Sequence, residues 1–197
     1  MVHAYHAVFG AHGFWLPNDE RGSWSTEVWA QHLKPFGPAT KTVERRSLAG
    51  RPHDRSKRLA AKAALEYPAV TFNERQRDCV ARGFAQIISI VHIIMYACAI
   101  MPDHVHVVVA RHDKDIESLV GFLKRAASRG LSAEGLHPLV GYINRSGRVP
   151  SAWADGGWNH FIDDPIDIPD AIDYVEKNPE RIGLPRQYWS FVAPYGA

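Results

Sequence analysis

The chain has 197 residues, 46% apolar and 22% charged, a composition that supplies a buried core and excludes wholesale disorder. Its length suits one ordinary domain or two small ones. Two cysteines, Cys79 and Cys98, exclude a disulfide framework and a cysteine-based zinc site, and they fit a reducing cytoplasm.

The N-terminus has no basic stretch followed by an apolar one, so no signal peptide is expected. Tyr5 to Phe14 alternates loosely and is rich in aromatic residues, which predicts a first strand. A turn follows from Leu16 to Gly22. Residues 20–70 carry scattered proline and glycine with little apolar periodicity. They read as a loop-rich basic insertion with a short helix near Arg55–Leu65. Asn73 suits a helix N-cap, and Val80, Phe84, Ile87 and Ile88 give the helix from Glu74 to about Ser89 its apolar stripe. From Gly83 to Pro102 no residue carries a formal charge. That length would allow a membrane span. Gln86, Ser89 and His92 interrupt it, so it reads as an amphipathic helix running into a buried strand, with no membrane partner.

Two strands are expected next, His92–Ile100 and His104–Ala110. The joint Met101-Pro102-Asp103 is short enough to make them an antiparallel hairpin. Asp115 to about Leu131 has helical periodicity. Arg148–Ile162 reads as short strands around Gly156-Gly157. A last helix runs from about Ile168 to Lys177 and is stopped by Pro179. This order predicts an α+β fold, an antiparallel sheet with helices on one face, in a single domain.

Eleven histidines are the unusual entry in the composition. In a strand, residues two apart share a face, so His104 and His106 project together while Val105 points to the apolar side. Two such imidazoles can hold one divalent cation; alternatively they are merely two exposed histidines. On the last helix Tyr174 and Asn178 are four apart and share a face. A tyrosine is a nucleophile only where the developing charge is stabilised. Asn178 offers a carbonyl oxygen as a third ligand, although Pro179 disfavours helical backbone at that residue. The plain alternative is a tyrosine packing a helix on the sheet. His6, His12 and His92 are candidates for supporting or ligand-facing roles, and Asp163, Asp164 and Asp170 are further candidates to reach a metal.

The run Ile100-Met101-Pro102-Asp103-His104-Val105-His106-Val107-Val108 resembles the Met-Pro-Asn/Asp-His-Val-His signature of the single-tyrosine HUH transposases, in particular the REP-associated tyrosine transposase branch. Ala171-Ile172-Asp173-Tyr174-Val175-Glu176-Lys177-Asn178-Pro179 is similar to the family's second signature, and Arg181-Ile182-Gly183-Leu184 continues it. The resemblance implies a ferredoxin-like sheet and a homodimer that cuts and rejoins single-stranded DNA near hairpins through a 5′-phosphotyrosine. It makes His104 and His106 ligands of Mg²⁺ or Mn²⁺, Asn178 the third ligand and Tyr174 the nucleophile. Asp103 stands where asparagine is commoner.

The net charge of +2 conceals an asymmetry. Between Lys41 and Lys62 there are eight basic residues and two acidic ones, whereas Ser151–Asn178 holds seven acids and one base. Arg45, Arg46, Arg51, Arg55, Lys57 and Arg58, with Lys124 and Arg125 on the second long helix, are therefore candidate contacts to a phosphate backbone. Trp15, Trp153 and Trp158 could stack on unpaired bases or belong to the core. A catalytically idle hairpin-binding protein and a metal-dependent hydrolase without tyrosine chemistry are the competing readings.

Overall fold

The structure is a computed structural model and describes residues 1–19, 28, 30–39 and 54–196. Four antiparallel strands form its sheet: β1 (Ala4–Gly10), β2 (Met95–Ile100), β3 (His104–Ala110) and β4 (Trp158–Ile162), in the order β2-β3-β1-β4. The helices are α1 (Arg55–Ala63), α2 (Glu74–Val91), α3 (Ile116–Ala133), α4 (Ile168–Glu176) and α5 (Asn178–Arg181). With α2 between β1 and β2, and α3 between β3 and β4, the sheet has the split βαβ topology of the ferredoxin-like fold.

Local chemistry starts the long helices where the sequence indicates. The Asn73 side chain accepts from Gln76 N, and the Gln76 side chain accepts in turn from Asn73 N, a complete capping box on α2. Asp115 caps α3 by accepting from Ser118 N. Both helices bury their apolar stripes on one sheet face. There Phe84, Ile87, Leu119 and Leu123 pack with Phe9, Val105, Val107 and Val109. The shorter α4 lies on the other face, where Ile168 and Val175 pack with Ala4, Ala99, Val108 and Ile162. The two long helices thus share a face as expected, and the last helix is added opposite them.

Three local expectations change. His92 does not begin a strand: it ends α2 in the left-handed region at φ 58°, and β2 starts at Met95. The segment around Gly156-Gly157 contributes one strand, β4, plus an isolated bridge from Trp153 to Ala11, rather than several short strands. Pro179 does not stop the chain's helical course either. It occupies the first turn of α5, where its missing N–H leaves no bond unmade. The short helix near Arg55 is α1. It packs with the turn of 3₁₀ helix at Gln31–Phe36 in a small cluster of Leu16, Leu33 and Ala61.

The C-terminal segment covers the β2 edge. The Gln187 amide accepts from Ile100 N at 2.8 Å and donates to Ile100 O at 2.9 Å, and Ala193 N donates to Met95 O at 2.8 Å. An edge strand otherwise offers unpaired N–H and C=O groups to any passing strand.

Candidate active site

Strand register decides which side chains meet. Gly10 lies opposite His104, Val8 opposite His106 on one side and Trp158 on the other, and His6 opposite Val108 and His160. Cross-strand partners share a face. His6, His104, His106, Trp158 and His160 therefore occupy the face away from α2 and α3, the face on which α4 presents Tyr174.

The rings are close. His104 and His106 have centroids 4.9 Å apart, and Tyr174 lies 5.9 Å from His106 and 5.7 Å from His6. The Trp158 ring meets His6 edge-on at 5.1 Å and lies parallel to His160 at 5.9 Å. Phe14, from the turn after β1, stacks on His104 at 4.6 Å. The Gly10 position allows that stacking, because a Cβ there would sit 2.5 Å from Phe14 Cδ1.

Both motif histidines have one ring nitrogen engaged. His104 Nδ1 is 2.6 Å from Asp103 Oδ1. An ionised carboxylate has only acceptors, so Nδ1 donates to it and Nε2 is the nitrogen left to face a cation. His106 Nδ1 shares a hydrogen bond of 3.2 Å with His6 Nε2, and this leaves its own Nε2 outside that bond. Burial pushes the pKa of His106 well below the usual histidine range, helped by the neighbouring His104, His6 and Arg181. Burial, with His160 beside it, brings His6 down to about 4. These two imidazoles are neutral at pH 7, as metal ligation requires. A carboxylate behind a ligating ring is the usual support of a metal-bound histidine; Asp103 supplies it to His104 and the His6 ring takes that position behind His106, so the residues present fit a divalent cation at the His104/His106 pair.

Among the described residues no three His, Cys, Asp or Glu side chains stand together as a metal-binding group. Asp163, Asp164 and Asp170 are exposed, and the Asp164 carboxylate accepts from Ile166 N. Asn178 is buried, at 8% exposure, and its Nδ2 donates to Tyr174 O at 2.8 Å. Contrary to the expectation from Pro179, Asn178 has helical backbone and lies one turn below Tyr174. With its nitrogen committed, Oδ1 is the atom it has to offer a cation.

The basic candidates divide. Arg45, Arg46 and Arg51 lie outside the described residues. Arg55 and Lys57 are exposed on α1, and Arg58 lines a cavity of about 310 Å³ together with Lys62, Phe14 and Asp103, beside His104. Lys124 and Arg125 are not brought to the site: α3 covers the opposite sheet face. Lys124 Nζ donates to Ala154 O at 2.8 Å and Gly156 O at 2.7 Å, and the Arg125 guanidinium lies 4.9 Å from the centre of the Phe122 ring. Trp153 is core, at 4% exposure, whereas Trp158 belongs to the site face. His12 turns to the carbonyl of Tyr67.

Arg181 is the residue that spacing did not single out. Its guanidinium carbon lies 4.5 Å from the centre of the Tyr174 ring. Seven positions separate the two, two helical turns, and that periodicity was the available signal.

A four-stranded antiparallel sheet thus carries a histidine pair beneath a helix-borne tyrosine. The sequence model of the family described as "Transposase IS200 like" matches residues 64–155, so this part of the chain is similar to that family. Among solved structures the chain is similar to a REP-associated tyrosine transposase bound to a REP hairpin, with 14% identity, TM-score 0.47, and 92% of this chain and 68% of that one covered. It is also similar to a candidate transposase from Deinococcus radiodurans R1, with 12% identity, TM-score 0.42, and 90% and 91% covered. No protein of curated function matches. Among the described residues no helix is long and apolar enough to cross a membrane.

Proposed function

We propose that this chain, as a single domain, cleaves and rejoins single-stranded DNA at hairpin-associated sites, with Tyr174 as nucleophile and Mg²⁺ or Mn²⁺ at His104, His106 and Asn178. The observation that carries this reading is the approach of the Tyr174 ring to within 5.9 Å of His106, from an element on the far side of the chain's connectivity. The hairpin preference rests on the resemblance of the two motifs to the REP-associated branch.

The chain's own groups divide the chemistry. His104 and His106 present Nε2 lone pairs, held in register by Asp103 and His6. A bound divalent cation supplies Lewis-acid polarisation of the scissile phosphate. Val175, buried in the α4 interface, holds the helix so that Tyr174 faces the pair. The Tyr174 hydroxyl oxygen attacks phosphorus; the bond from phosphorus to the 3′ oxygen breaks, and the phenolic proton is lost to solvent while the leaving oxygen gains one. The product is a 5′-phosphotyrosine and a free 3′-hydroxyl. Attack of a 3′-hydroxyl on that linkage reverses the balance and rejoins the strand. One chain supplies both Tyr174 and the histidine pair, which supports action in cis. A homodimer is what the resemblance implies, and the site does not need one for completion.

The test is a labelled hairpin oligonucleotide incubated with Mn²⁺ and resolved on a denaturing gel. A covalent adduct that disappears in Tyr174→Phe, with DNA binding retained, is the expected result. Cutting without an adduct would favour a plain hydrolase, and a native-gel shift without cutting an idle binding protein.

A further inference from the structure

Resting on the tyrosine-nucleophile reading above, we propose that Arg181 is a further catalytic residue, whose guanidinium binds a non-bridging oxygen of the scissile phosphate beside Tyr174.

The geometry is built locally. α5 ends in a Schellman motif: Gly183, at φ 74°, donates to Glu180 O at 3.0 Å, and Leu184 N donates to Pro179 O at 3.0 Å. This fixes the last turn and with it the Cα of Arg181. Helical side chains lean toward the N-terminus, and from the end of α5 that lean carries the guanidinium back over the Tyr174 ring, 4.5 Å from its centre. Its charge also contributes to keeping His106 neutral. The guanidinium thus stands against the Tyr174 ring and within electrostatic reach of His106, beside the point where a phosphate reacting with Tyr174 would sit.

Its charge is uncommitted. Neighbouring cations are neutralised: Lys177 by Asp173 at 2.7 Å and Arg186 by Glu176. Arg181 is exposed and, among the described residues, has no carboxylate partner, although the nearby stretch Ser151–Asn178 holds seven acids and one base. In so acidic a stretch, an approaching phosphodiester needs a positive group at the point of attack. Phosphoryl transfer gathers charge on the non-bridging oxygens, and a planar guanidinium matches two of them with its fork of donors. Stacking on the tyrosine ring holds the fork in place before substrate arrives. A purely structural role would need only the ring contact, which lysine also makes.

The test compares wild type, Arg181→Lys and Arg181→Ala in single-turnover adduct formation at saturating oligonucleotide with Mn²⁺. DNA affinity is measured separately by fluorescence anisotropy in EDTA. The expected result is a rate loss of about 100-fold in Arg181→Ala, the scale of removing one transition-state donor. Arg181→Lys should fall between, and affinity should change less than about threefold in either variant. A rate in Arg181→Ala within about threefold of wild type overturns the assignment, as does a rate loss matched by an equal loss of affinity with no recovery in Arg181→Lys. If wild type itself forms no adduct, the nucleophile reading fails first and the role of Arg181 falls with it; a normal wild-type adduct with an undiminished variant rejects Arg181 alone.

Discussion

His6 Nε2 lies 3.2 Å from His106 Nδ1, although the two residues are 100 positions apart. His6 is enclosed by His106, Trp158 and Tyr174 and is 6% exposed. It holds the His106 ring from behind and fills the space under Tyr174. His6→Ala should weaken Mn²⁺ binding about 10- to 100-fold, as loss of a partner behind a metal ligand generally does. It should also cost about 1–3 kcal/mol of stability by leaving His106 Nδ1 unpaired. Isothermal titration with Mn²⁺ and urea unfolding measure the two effects. An unchanged affinity would show that His6 only packs.

Asp103 gives His104 the same kind of support at 2.6 Å. Asp103→Ala should lower Mn²⁺ affinity by about tenfold or more. Asp103→Asn keeps a carbonyl oxygen that can accept from Nδ1–H, so it should retain most of the affinity. The Mn²⁺ electron paramagnetic resonance signal on titration separates the variants. Equal affinities in both would remove the orienting role.

Gly10 faces His104 across the β1–β3 ladder, and the space a side chain would take is filled by Phe14. Gly10→Ala forces Phe14 off its stacking position. Overpacking of this kind costs about 1–3 kcal/mol. The midpoint of urea unfolding should fall accordingly, and the His104 ring resonances should shift in a histidine-selective NMR spectrum. A variant as stable as wild type would mean that Phe14 relaxes without strain.

Lys124 has a pKa lowered to about 8 by burial, with Asp155 partly offsetting the effect. The unfolded lysine titrates near 10.5. Between these values the unfolded chain binds more protons than the folded one, so this group makes the protein more stable as pH rises from 8 toward 10.5 and contributes no pH dependence below 8. Lys124→Met should flatten that rise in unfolding curves taken across the interval. An ε-carbon NMR titration of the lysine should show a midpoint near 8.

Much of the candidate site's geometry was legible in the sequence because it is written in short periods. A spacing of two put His104 and His106 on one face of β3, and a spacing of four put Tyr174 and Asn178 on one side of the last helix. The caps at Asn73 and Asp115 are local hydrogen-bond chemistry and fall where the sequence indicated. Local rules failed where a longer context outweighed them. His92 took a left-handed cap because β2 starts only at Met95, and Asn178 stayed helical before a proline because α4 runs directly into α5.

The sequence alone therefore determined which candidate residues share a face, since a side chain's direction follows from the period of its own strand or helix. Which of those faces meet was decided only by the tertiary structure. Strand order brought β1 between β3 and β4 and so placed His6 behind His106 and beside Trp158. Packing of Ile168 and Val175 set α4 on the histidine face, while α3 carried Lys124 and Arg125 to the other. The meeting of Arg181 with Tyr174 belongs to the same class. It depends on a helix continuing through Lys177 and ending at Gly183, a sum of contacts that no single motif encodes.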